Sequence, residues 1–401
     1  MNSIDTTCCI VGGGPAGMML GYLLARAGVD VVVLEKHADF LRDFRGDTVH
    51  PSTLQVLDEL GLLDRFLQRP HQELRRVKVQ IGDAVFQVAD FGRLKTRCPF
   101  LAFMPQWDFL DFLAEEARAL PHFRLLMSTE GRELIKTGEI VAGIHANGPD
   151  GGVDIRASLV VAADGRTSAL RSQAGLEVSV LGAPIDVLWF RVGRGDDKTE
   201  QTFGRIDAGR FMITIDRGDY WQCAYVIRKG AADALKAGPL ATFKQSVAAA
   251  APYLEPHIDD IASWDDVKLL SVAVDRLERW SAPGLLCIGD AAHAMSPIGG
   301  VGINMAIQDA VAAGNLLAAK LTSGWVANAD LDAVRRRRLL PTRVVQGFQL
   351  FVQNRVLLPT LSGAGFKVPL VVRLLNRWPA LQIWPARFIG FGIRPEHVKS
   401  R

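Results

Sequence analysis

The amino-acid sequence predicts an α/β protein in which a parallel-sheet domain is interleaved with an antiparallel sheet and followed by a helical region. A strand–helix–strand pattern fills the first forty residues, and two later apolar runs end in glycine-containing turns near residues 163 and 288. Between these runs the chain is rich in aromatic and β-branched residues with turn signals. Strands linked through a helix pair in parallel, whereas short strands joined by tight turns pair in antiparallel fashion.

The first forty residues form the clearest unit. Residues 8–11 are a short apolar run, typical of a strand that is buried on both faces, and they end in glycines. Residues 15–28 carry apolar side chains and end at Gly28, a common helix C-terminus. Residues 29–34 are a second β-branched run, which Glu35 closes. The pattern predicts a right-handed βαβ crossover with parallel strands.

The same hydrophobic periodicities predict the remaining elements. They are a helix pair over 51–68, strands over 74–104, a helix over 107–120, strands over 123–163, hairpins over 186–230, helices over 231–262, a buried strand over 285–288, a long helix over 304–321 and helices after 331. Features of the parallel-sheet domain therefore flank a β-rich stretch, which predicts two intimate domains. The predicted boundaries are 1–73, 98–180 and 270–330 for the parallel-sheet domain, 74–97 and 181–269 for the β-rich domain, and 331–401 for the helical region.

Composition restricts the classes of function. The 401 residues hold 46 Lys and Arg against 43 Asp and Glu, and the net charge of +3 is too small to bind nucleic acid through its phosphates. Five cysteines, an odd number, predict no disulfide framework, and no His/Cys cluster has the spacing of a metal site. The chain shows no signal-peptide pattern and no run of 18 apolar residues, so a cytoplasmic location is expected.

The C-terminal region is basic and apolar. Residues 351–401 hold eight Lys or Arg and a single acid, Glu396. Such a segment is compatible with contact to a membrane surface or with packing onto the body of the protein. Packing is favoured because repeated prolines prevent one long amphipathic helix. The arginine run at 335–338 is interpreted as a solvated helix face.

Residues 12–17, with the sequence GGGPAG, match the pattern G-x-G-x-x-G between the first strand and the first helix. Gly12 permits a tight turn, Gly14 lets the backbone approach a pyrophosphate, and Gly17 lets the helix pack on the strand. The start of the helix would direct free N–H groups at that phosphate. Glu35 ends the second strand, where a carboxylate can accept hydrogen bonds from a ribose. In this βαβ context the motif predicts dinucleotide binding; a purely structural glycine turn is the alternative.

Two later strand ends pair an acid with a glycine. Asp164 and Gly165 follow one buried strand, and Gly289 and Asp290 follow another. A carboxylate at the carboxyl end of a parallel strand is placed to accept hydrogen bonds from cofactor hydroxyls. A plain Asp-Gly turn explains the first pair about as well. The second pair leads into a loop of small residues, 296–304, whose three glycines have no evident turn-type reason.

Taken in order, these motifs resemble those of the para-hydroxybenzoate hydroxylase-like flavoproteins, the class A FAD-dependent aromatic monooxygenases. The resemblance covers roughly residues 7–320, and Arg45 and Gln106 also lie where that family has residues near the flavin. It implies a Rossmann-like FAD-binding domain of the glutathione reductase type. This domain would be interleaved with an α+β substrate domain built on an antiparallel sheet, and a helical region would follow. FAD would bind non-covalently. NAD(P)H would bind transiently, because only one dinucleotide motif is present.

The resemblance also implies roles for the motif residues. Glu35 would hold the adenosine ribose, Asp164 would serve the pyrophosphate region and nicotinamide access, and Asp290 would hold the ribityl chain. The N–H groups of residues 302–304 would face the flavin pyrimidine, where the helix dipole stabilises negative charge. Arg45 and Pro297 would lie beside the flavin in the reacting region, and no side-chain nucleophile is expected. The implied cofactor-binding residues are Gly12, Gly14, Pro15, Ala16, Gly17, Glu35, Lys36, Arg45, Gln106, Asp164, Gly289, Asp290, Pro297, Gly299, Gly302, Ile303 and Asn304.

The chemistry implied by the resemblance is hydroxylation. Reduced nicotinamide would deliver hydride to FAD, and the reduced flavin with O2 would form a C4a-hydroperoxide that hydroxylates an aromatic or polycyclic substrate. The substrate is expected between the flavin and the sheet formed by residues 186–230. The apolar character of this stretch favours a neutral or weakly polar aromatic molecule. The candidate substrate contacts are Phe203, Met212, Trp221, Gln222, Cys223 and Tyr225.

Other activities stay open. A reductase of isoprenoid double bonds or a halogenase would keep FAD and change the chemistry, and a non-catalytic flavin-binding module would lack turnover. The halogenase pattern W-x-W-x-I-P is absent, and the comparable aromatic stretch reads YWQC at residues 220–223. The monooxygenase is favoured because the roomy loop after Pro297 suits oxygen chemistry.

Overall fold

The structure is a computed structural model and describes residues 2–41, 48–195, 204–207, 209–362 and 368–400. Its strands, in chain order, are β1 (Asn2–Val11), β2 (Val31–Leu34), β3 (Thr48–Val49), β4 (Gln72–Leu74), β5 (Arg76–Ile81), β6 (Ala84–Asp90), β7 (Leu101–Phe103), β8 (Phe123–Leu126), β9 (Glu130–Thr137), β10 (Ile140–Gly148), β11 (Gly151–Ala162), β12 (Val178–Val180), β13 (Ile185–Gly193), β14 (Gly204–Asp207), β15 (Arg210–Asp216), β16 (Tyr220–Arg228), β17 (Lys268–Leu270), β18 (Asp275–Leu277), β19 (Ser281–Ala282), β20 (Leu285–Cys287) and β21 (His293–Ala294). Its α-helices are α1 (Pro15–Arg26), α2 (Pro51–Glu59), α3 (Leu63–Phe66), α4 (Gln106–Arg118), α5 (Ala169–Gln173), α6 (Ala232–Lys236), α7 (Leu240–Ala250), α8 (Gly302–Thr322), α9 (Asn328–Val352), α10 (Leu358–Leu361), α11 (Leu370–Arg377) and α12 (Ile383–Phe391).

A largely parallel sheet forms the centre of the molecule, in the order β19-β20-β11-β1-β2-β8. Its register aligns the carboxyl ends of four strands, because Val11 pairs with both Leu34 and Ala162, and Ala162 pairs with Cys287. The segments that follow these four strands therefore emerge together at one edge of the sheet. An antiparallel meander, β9–β10, pairs with the first half of β11. The predicted α/β fold class is confirmed.

The parallel strands are held by apolar burial on both faces. Every residue of β2 is buried, and three of its four side chains are valines, whose β-branching suits a strand. Burying each such side chain stabilises the fold by roughly 1.5–3 kcal/mol. The helices α1 and α8 pack together beside the sheet, where an added Cβ at Gly314 would lie 3.3 Å from Leu23.

A second, mainly antiparallel sheet has the order β17-β13-β16-β15-β14-β5-β6. Among the described strands of this second sheet, only the pair β14–β5 is parallel. The hairpin β5–β6 precedes the rest of this sheet by about a hundred residues, so the chain leaves the parallel sheet and returns to it. One face of this sheet is covered by α7 and the turn Pro252–Asp260, and the other by the end of α9, by α10 and by Ile298. The predicted domain boundaries stay a prediction.

The described part of the C-terminal region packs on the body of the protein. Ala386 of α12 is fully buried beside Phe91 and Leu94, which follow β6. The Gln382 side chain donates to the backbone carbonyl of Gln87 in β6 over 3.2 Å and accepts from the side-chain Nε2 of Gln87 over 2.6 Å. Across the part of the chain that the structure describes, no helix is both long and apolar enough to cross a membrane.

The turn that positions β20 depends on one glycine. Gly284 links β19 to β20 with φ of +76°, and a Cβ added there would lie 2.0 Å from the Val141 carbonyl oxygen of β10. Val141 in turn donates its N–H to the Pro283 carbonyl over 2.9 Å. Gly175 has a similar φ of +65°, but no atom lies within 4 Å of the position that its Cβ would take.

We therefore expect Gly284→Ala to destabilise the protein more than Gly175→Ala. Both variants place alanine in the left-handed region, at a cost of roughly 1–2 kcal/mol. Only Gly284→Ala adds a steric overlap with backbone, which costs roughly 1–3 kcal/mol more. Urea unfolding of the two variants measures the difference, and equal losses of unfolding free energy would contradict the tight packing of this turn.

Candidate active site

The glycine turn lies at the common edge of the parallel strands. Gly12 has φ of +112°, and an added Cβ would lie 2.3 Å from the Ala163 carbonyl oxygen. A Cβ at Gly17 would lie 2.0 Å from the Gly12 carbonyl oxygen, so both glycines are required by close backbone packing. At Gly14, in contrast, no atom lies within 4 Å of the would-be Cβ. The space over Gly14 is open to a ligand.

The helix α1 begins at this open space. Gly14 is its N-cap residue, no side chain in the described structure caps it, and its first turn carries no acid. The first N–H groups of a helix have no partner within the helix, and they carry its positive dipole end. This arrangement suits a phosphate.

Glu35 is held at the end of β2. Its side chain is almost buried. Oε2 accepts the Gly13 N–H over 3.1 Å, and Oε1 accepts the His37 N–H over 3.1 Å. The carboxylate is therefore fixed beside the glycine turn, whereas the neighbouring Lys36 is exposed.

The two Asp–Gly pairs meet at the same edge. Burial raises the pKa of Asp164, and its Oδ1 is buried without a hydrogen-bond partner in the described structure. Asp290 is partly exposed, and its Oδ2 accepts from Nη2 of Arg166 over 3.4 Å. Buried polar atoms are rarely left without a hydrogen-bond partner in folded proteins. A hydrogen-bond donor on a ligand would therefore satisfy Oδ1 of Asp164.

The loop after Pro297 forms a 3-10 turn, Ile298–Gly300, and leads into α8. Gly299 and Gly300 have φ of +81° and +62°. The Gly300 carbonyl accepts from Oγ1 of Thr48 over 3.2 Å. No atom lies within 4 Å of a would-be Cβ at Gly302, and no described side chain caps α8. The N-terminus of α8 is therefore open, as that of α1 is.

The Asn304 side chain ties this loop to the segment that joins β3 to α2. Its Oδ1 accepts the His50 N–H over 3.0 Å and the Thr53 hydroxyl over 2.6 Å, and its Nδ2 donates to the Thr48 carbonyl over 3.4 Å. Sequence reasoning proposed only the backbone N–H of Asn304 as functional. The structure adds a positioning role for the side chain.

His50 lies beneath the loop and is fully buried. Its Nδ1 lies 2.8 Å from the Ile389 carbonyl of α12, so this nitrogen carries the donated hydrogen. Its Nε2 has no hydrogen-bond partner among the described residues. Burial lowers the pKa of His50 from 6.5 to about 4. The imidazole is therefore neutral at pH 7.

Four residues form a buried charge cluster behind the Gly289 turn: Asp309, His293, Arg338 and Glu396. Oδ2 of Asp309 accepts the Gly289 N–H over 3.1 Å and a hydrogen from His293 Nε2 over 2.6 Å. Oδ1 of Asp309 accepts from Nε of Arg338 over 2.9 Å, and Arg338 also lies 3.5 Å from Oε1 of Glu396. Burial acts to raise the pKa of Asp309, but His293 and Arg338 hold it below its ordinary value.

The buried charge cluster corrects one expectation from the sequence. The arginine run at 335–338 predicts a solvated helix face, yet Arg338 is only 1% exposed. A lone acid, Asp309, within the apolar helix α8 was the available signal, because a buried charge requires a partner. Sequence reasoning did not use it.

The structure brings most predicted cofactor residues to one region. The glycine turn, Glu35, Asp164 and Asp290 follow aligned strand ends. Gly289 joins them to α1 and α8, since its added Cβ would lie 3.0 Å from Ala16 and 3.5 Å from Ala306. Pro15 starts α1, half-buried Gln106 starts α4, and buried Ile303 lies in the first turn of α8. Arg45 lies outside the described residues.

The predicted substrate contacts divide between two faces of the antiparallel sheet. Met212, Trp221, Cys223 and Tyr225 pack in the core under α7, on the face away from Ile298, and the prediction that they line the site is corrected. Gln222 lies on the opposite face, where its Oε1 accepts from Nε of Arg217 over 3.0 Å. Phe203 lies outside the described residues.

The face that meets the Pro297 loop has a different apolar set. Val187, Ala224 and Val226 form its core, and the partly buried side chains packed on it include Trp189, Phe211, Ile213 and Ile298. Period-two alternation separates the two faces in the sequence. It does not say which of them a later loop will cover.

Comparison with known proteins agrees with this arrangement. A family described as FAD binding domain matches residues 5–347. The 6-methylpretetramide 4-monooxygenase of Streptomyces rimosus is 33% identical over 98% of this chain and 94% of its own length. The rifampicin monooxygenase of Streptomyces venezuelae is 30% identical over 82% of this chain and 67% of its own length. The solved structure of pqsL, a probable FAD-dependent monooxygenase from Pseudomonas aeruginosa, covers 90% of this chain and 99% of its own at 20% identity, with a TM-score of 0.75, a likeness of fold.

The chain belongs to the FAD-binding-domain family and, within it, to the para-hydroxybenzoate hydroxylase-like class of flavoproteins. It is an FAD-dependent oxidoreductase of the monooxygenase type.

His50 generates a prediction about pH. Since its pKa is about 4 in the folded protein and 6.5 ordinarily, the unfolded chain binds a proton first as the pH falls. The neutral imidazole therefore contributes stability that is complete above pH 6.5 and is lost towards pH 4, a change of about 3 kcal/mol. We expect His50→Asn, which keeps a donor for Ile389, to flatten this part of the stability profile. Unfolding free energies at several pH values check it, with exposed His122→Asn as the control; parallel profiles for wild type and His50→Asn would contradict the assignment.

Proposed function

We propose that this protein uses NAD(P)H and O2 to hydroxylate an aromatic or polycyclic substrate. The observation that carries the proposal is the single sheet edge at which the glycine turn, three carboxylates and the open start of α8 meet beside the antiparallel sheet. The similarity to 6-methylpretetramide 4-monooxygenase along nearly the whole chain favours a polycyclic phenol as the class of substrate.

The residues present fit FAD. Glu35 would hold the adenosine ribose, and the open space over Gly14 with the start of α1 would take the pyrophosphate. Asp290 keeps Oδ1 for a ribityl hydroxyl while its Oδ2 is held by Arg166. Asp164 offers an unpaired acceptor nearby. When bound, FAD would supply the redox chemistry, accepting hydride from the nicotinamide and activating O2.

The start of α8 would face the flavin pyrimidine. Its uncapped N–H groups would stabilise negative charge there, because a helix N-terminus carries a partial positive charge. The Pro297 loop keeps this end in place through the bonds from Thr48 and Asn304. The substrate would lie between this loop and the sheet face of Trp189, Phe211 and Ile213, whose apolar side chains exclude water.

A substitution at Gly14 distinguishes a role in cofactor binding from a role in the stability of the fold. We expect Gly14→Val to lower the stability of the FAD-free protein by no more than about 1 kcal/mol, the cost of a poorer N-cap residue, because its backbone is extended and nothing lies within 4 Å of the position that its Cβ would take. The same change would fill the proposed pyrophosphate space and weaken FAD binding by at least about tenfold, or 1.4 kcal/mol. Flavin titration and thermal unfolding measure the two effects. Gly347→Val, at another open glycine, is the control; undiminished FAD affinity in Gly14→Val would refute the placement.

The activity itself is tested with the FAD-loaded protein and a panel of aromatic and polycyclic phenols. We expect at least one phenol to stimulate NAD(P)H oxidation and to yield a product that gains one oxygen atom derived from labelled O2. Peroxide is measured in parallel, since stimulation alone could be uncoupled. A product that gains two hydrogens would indicate a reductase and a halogenated product a halogenase; the absence of turnover with the whole panel would favour a flavin-binding module.

A further inference from the structure

The short helix α11 packs against β6 but leaves part of its apolar side exposed. Its Asn376 side chain accepts the Gln87 N–H of β6 over 3.3 Å, and the side chains of Val372, Leu374 and Leu375 are half-buried. At 100° per residue, Leu370 and Val371 lie roughly opposite Asn376 on the helix. They are 71% and 60% exposed. An amphipathic helix that only completed a core would bury these two residues instead.

The exposed apolar surface continues beyond α11. Trp378 is 55% and Trp384 68% exposed, and Leu381 lies between them in the turn Pro379–Gln382. We call Leu370, Val371, Trp378, Leu381 and Trp384 the α11 patch. Contiguous stretches of large exposed apolar side chains mark interaction surfaces in folded proteins.

The surroundings of the α11 patch are basic. Arg373, Arg377 and Arg387 are exposed, and none of them forms an ion pair within the described structure. From residue 333 to residue 395 the sequence holds eleven Lys or Arg and no Asp or Glu. The next acid, Glu396, forms ion pairs with Arg337 and Arg338 of the same chain. The partner of this surface must therefore be both apolar and anionic.

We propose that the α11 patch docks the enzyme onto the surface of an anionic lipid bilayer. Tryptophan side chains favour the boundary between headgroups and acyl chains, and an amphipathic helix with basic flanks lies in that plane. A second copy of the chain is disfavoured because it would bring two sets of unpaired arginines together. Docking would place the enzyme where an apolar polycyclic substrate partitions, independently of which phenol it oxidises.

Vesicle co-sedimentation of the full-length, FAD-loaded protein tests this docking. We expect binding to phosphatidylcholine vesicles that contain phosphatidylglycerol, little binding to phosphatidylcholine alone, and weakening by salt. Arg373→Gln with Arg377→Gln would lower the affinity roughly thirtyfold, the effect of two positive charges near an anionic surface. Leu370→Ser with Trp384→Ser would lower it as well, with the residual tryptophan fluorescence no longer shifting on vesicle addition. All four side chains are exposed, so folding is preserved.

The control changes the same residue types elsewhere. Trp325 is 72% exposed at the end of α8, and Arg118 is exposed at the end of α4, so Trp325→Ser with Arg118→Gln should bind vesicles as the wild type does. Failure of the wild type to bind anionic vesicles would overturn the proposal. So would binding that the patch variants leave intact. A dimer in sedimentation velocity that the patch variants dissolve would assign the surface to a second copy and overturn it too.

Discussion

The register of the parallel strands is the constraint on which the site depends. Because β2, β1, β11 and β20 end level with one another, four chain segments that are far apart in sequence leave the sheet at one edge. Apolar burial on both faces holds the strands, and a shift of one residue in a strand would exchange its side chains between the two packed faces. The position of Glu35 relative to Asp164 and Asp290 is thus a consequence of core packing, not of any direct bond among the three carboxylates.

Two polar ties then connect this edge to the rest of the chain. Asn304 fastens the Pro297 loop to the residues around His50, and Asp309 fastens the Gly289 turn to Arg338 of α9. Both sets of hydrogen bonds are buried, where leaving a polar group without its partner is costly. The two segments that each set connects therefore hold one another in position. The glycine loop after Pro297 is in this way attached to the segment that joins β3 to α2.

Local patterns predicted the parts of the fold whose physics is local. The βαβ unit, the glycine turn and the strand-terminal acids were read from periodicity and turn chemistry, and the resemblance placed them in the correct class of flavoproteins. What local patterns missed was non-local. The face of β16 that meets Ile298 depends on a loop some seventy residues later, so Trp221 and Cys223 were assigned to the wrong side. Arg338 looked solvated because its partners, Asp309 and Glu396, are supplied by distant segments.

The position of Glu396 bears on how the protein is made. It lies almost ninety residues after Asp309 in the sequence and completes the buried charge cluster behind the Gly289 turn. During synthesis, β1 and α1 are made well before their neighbours β11 and β20 in the finished sheet and before this carboxylate. The turn at Gly289 therefore gains its full set of buried partners only after the segments that supply Asp309, Arg338 and Glu396 have all been made.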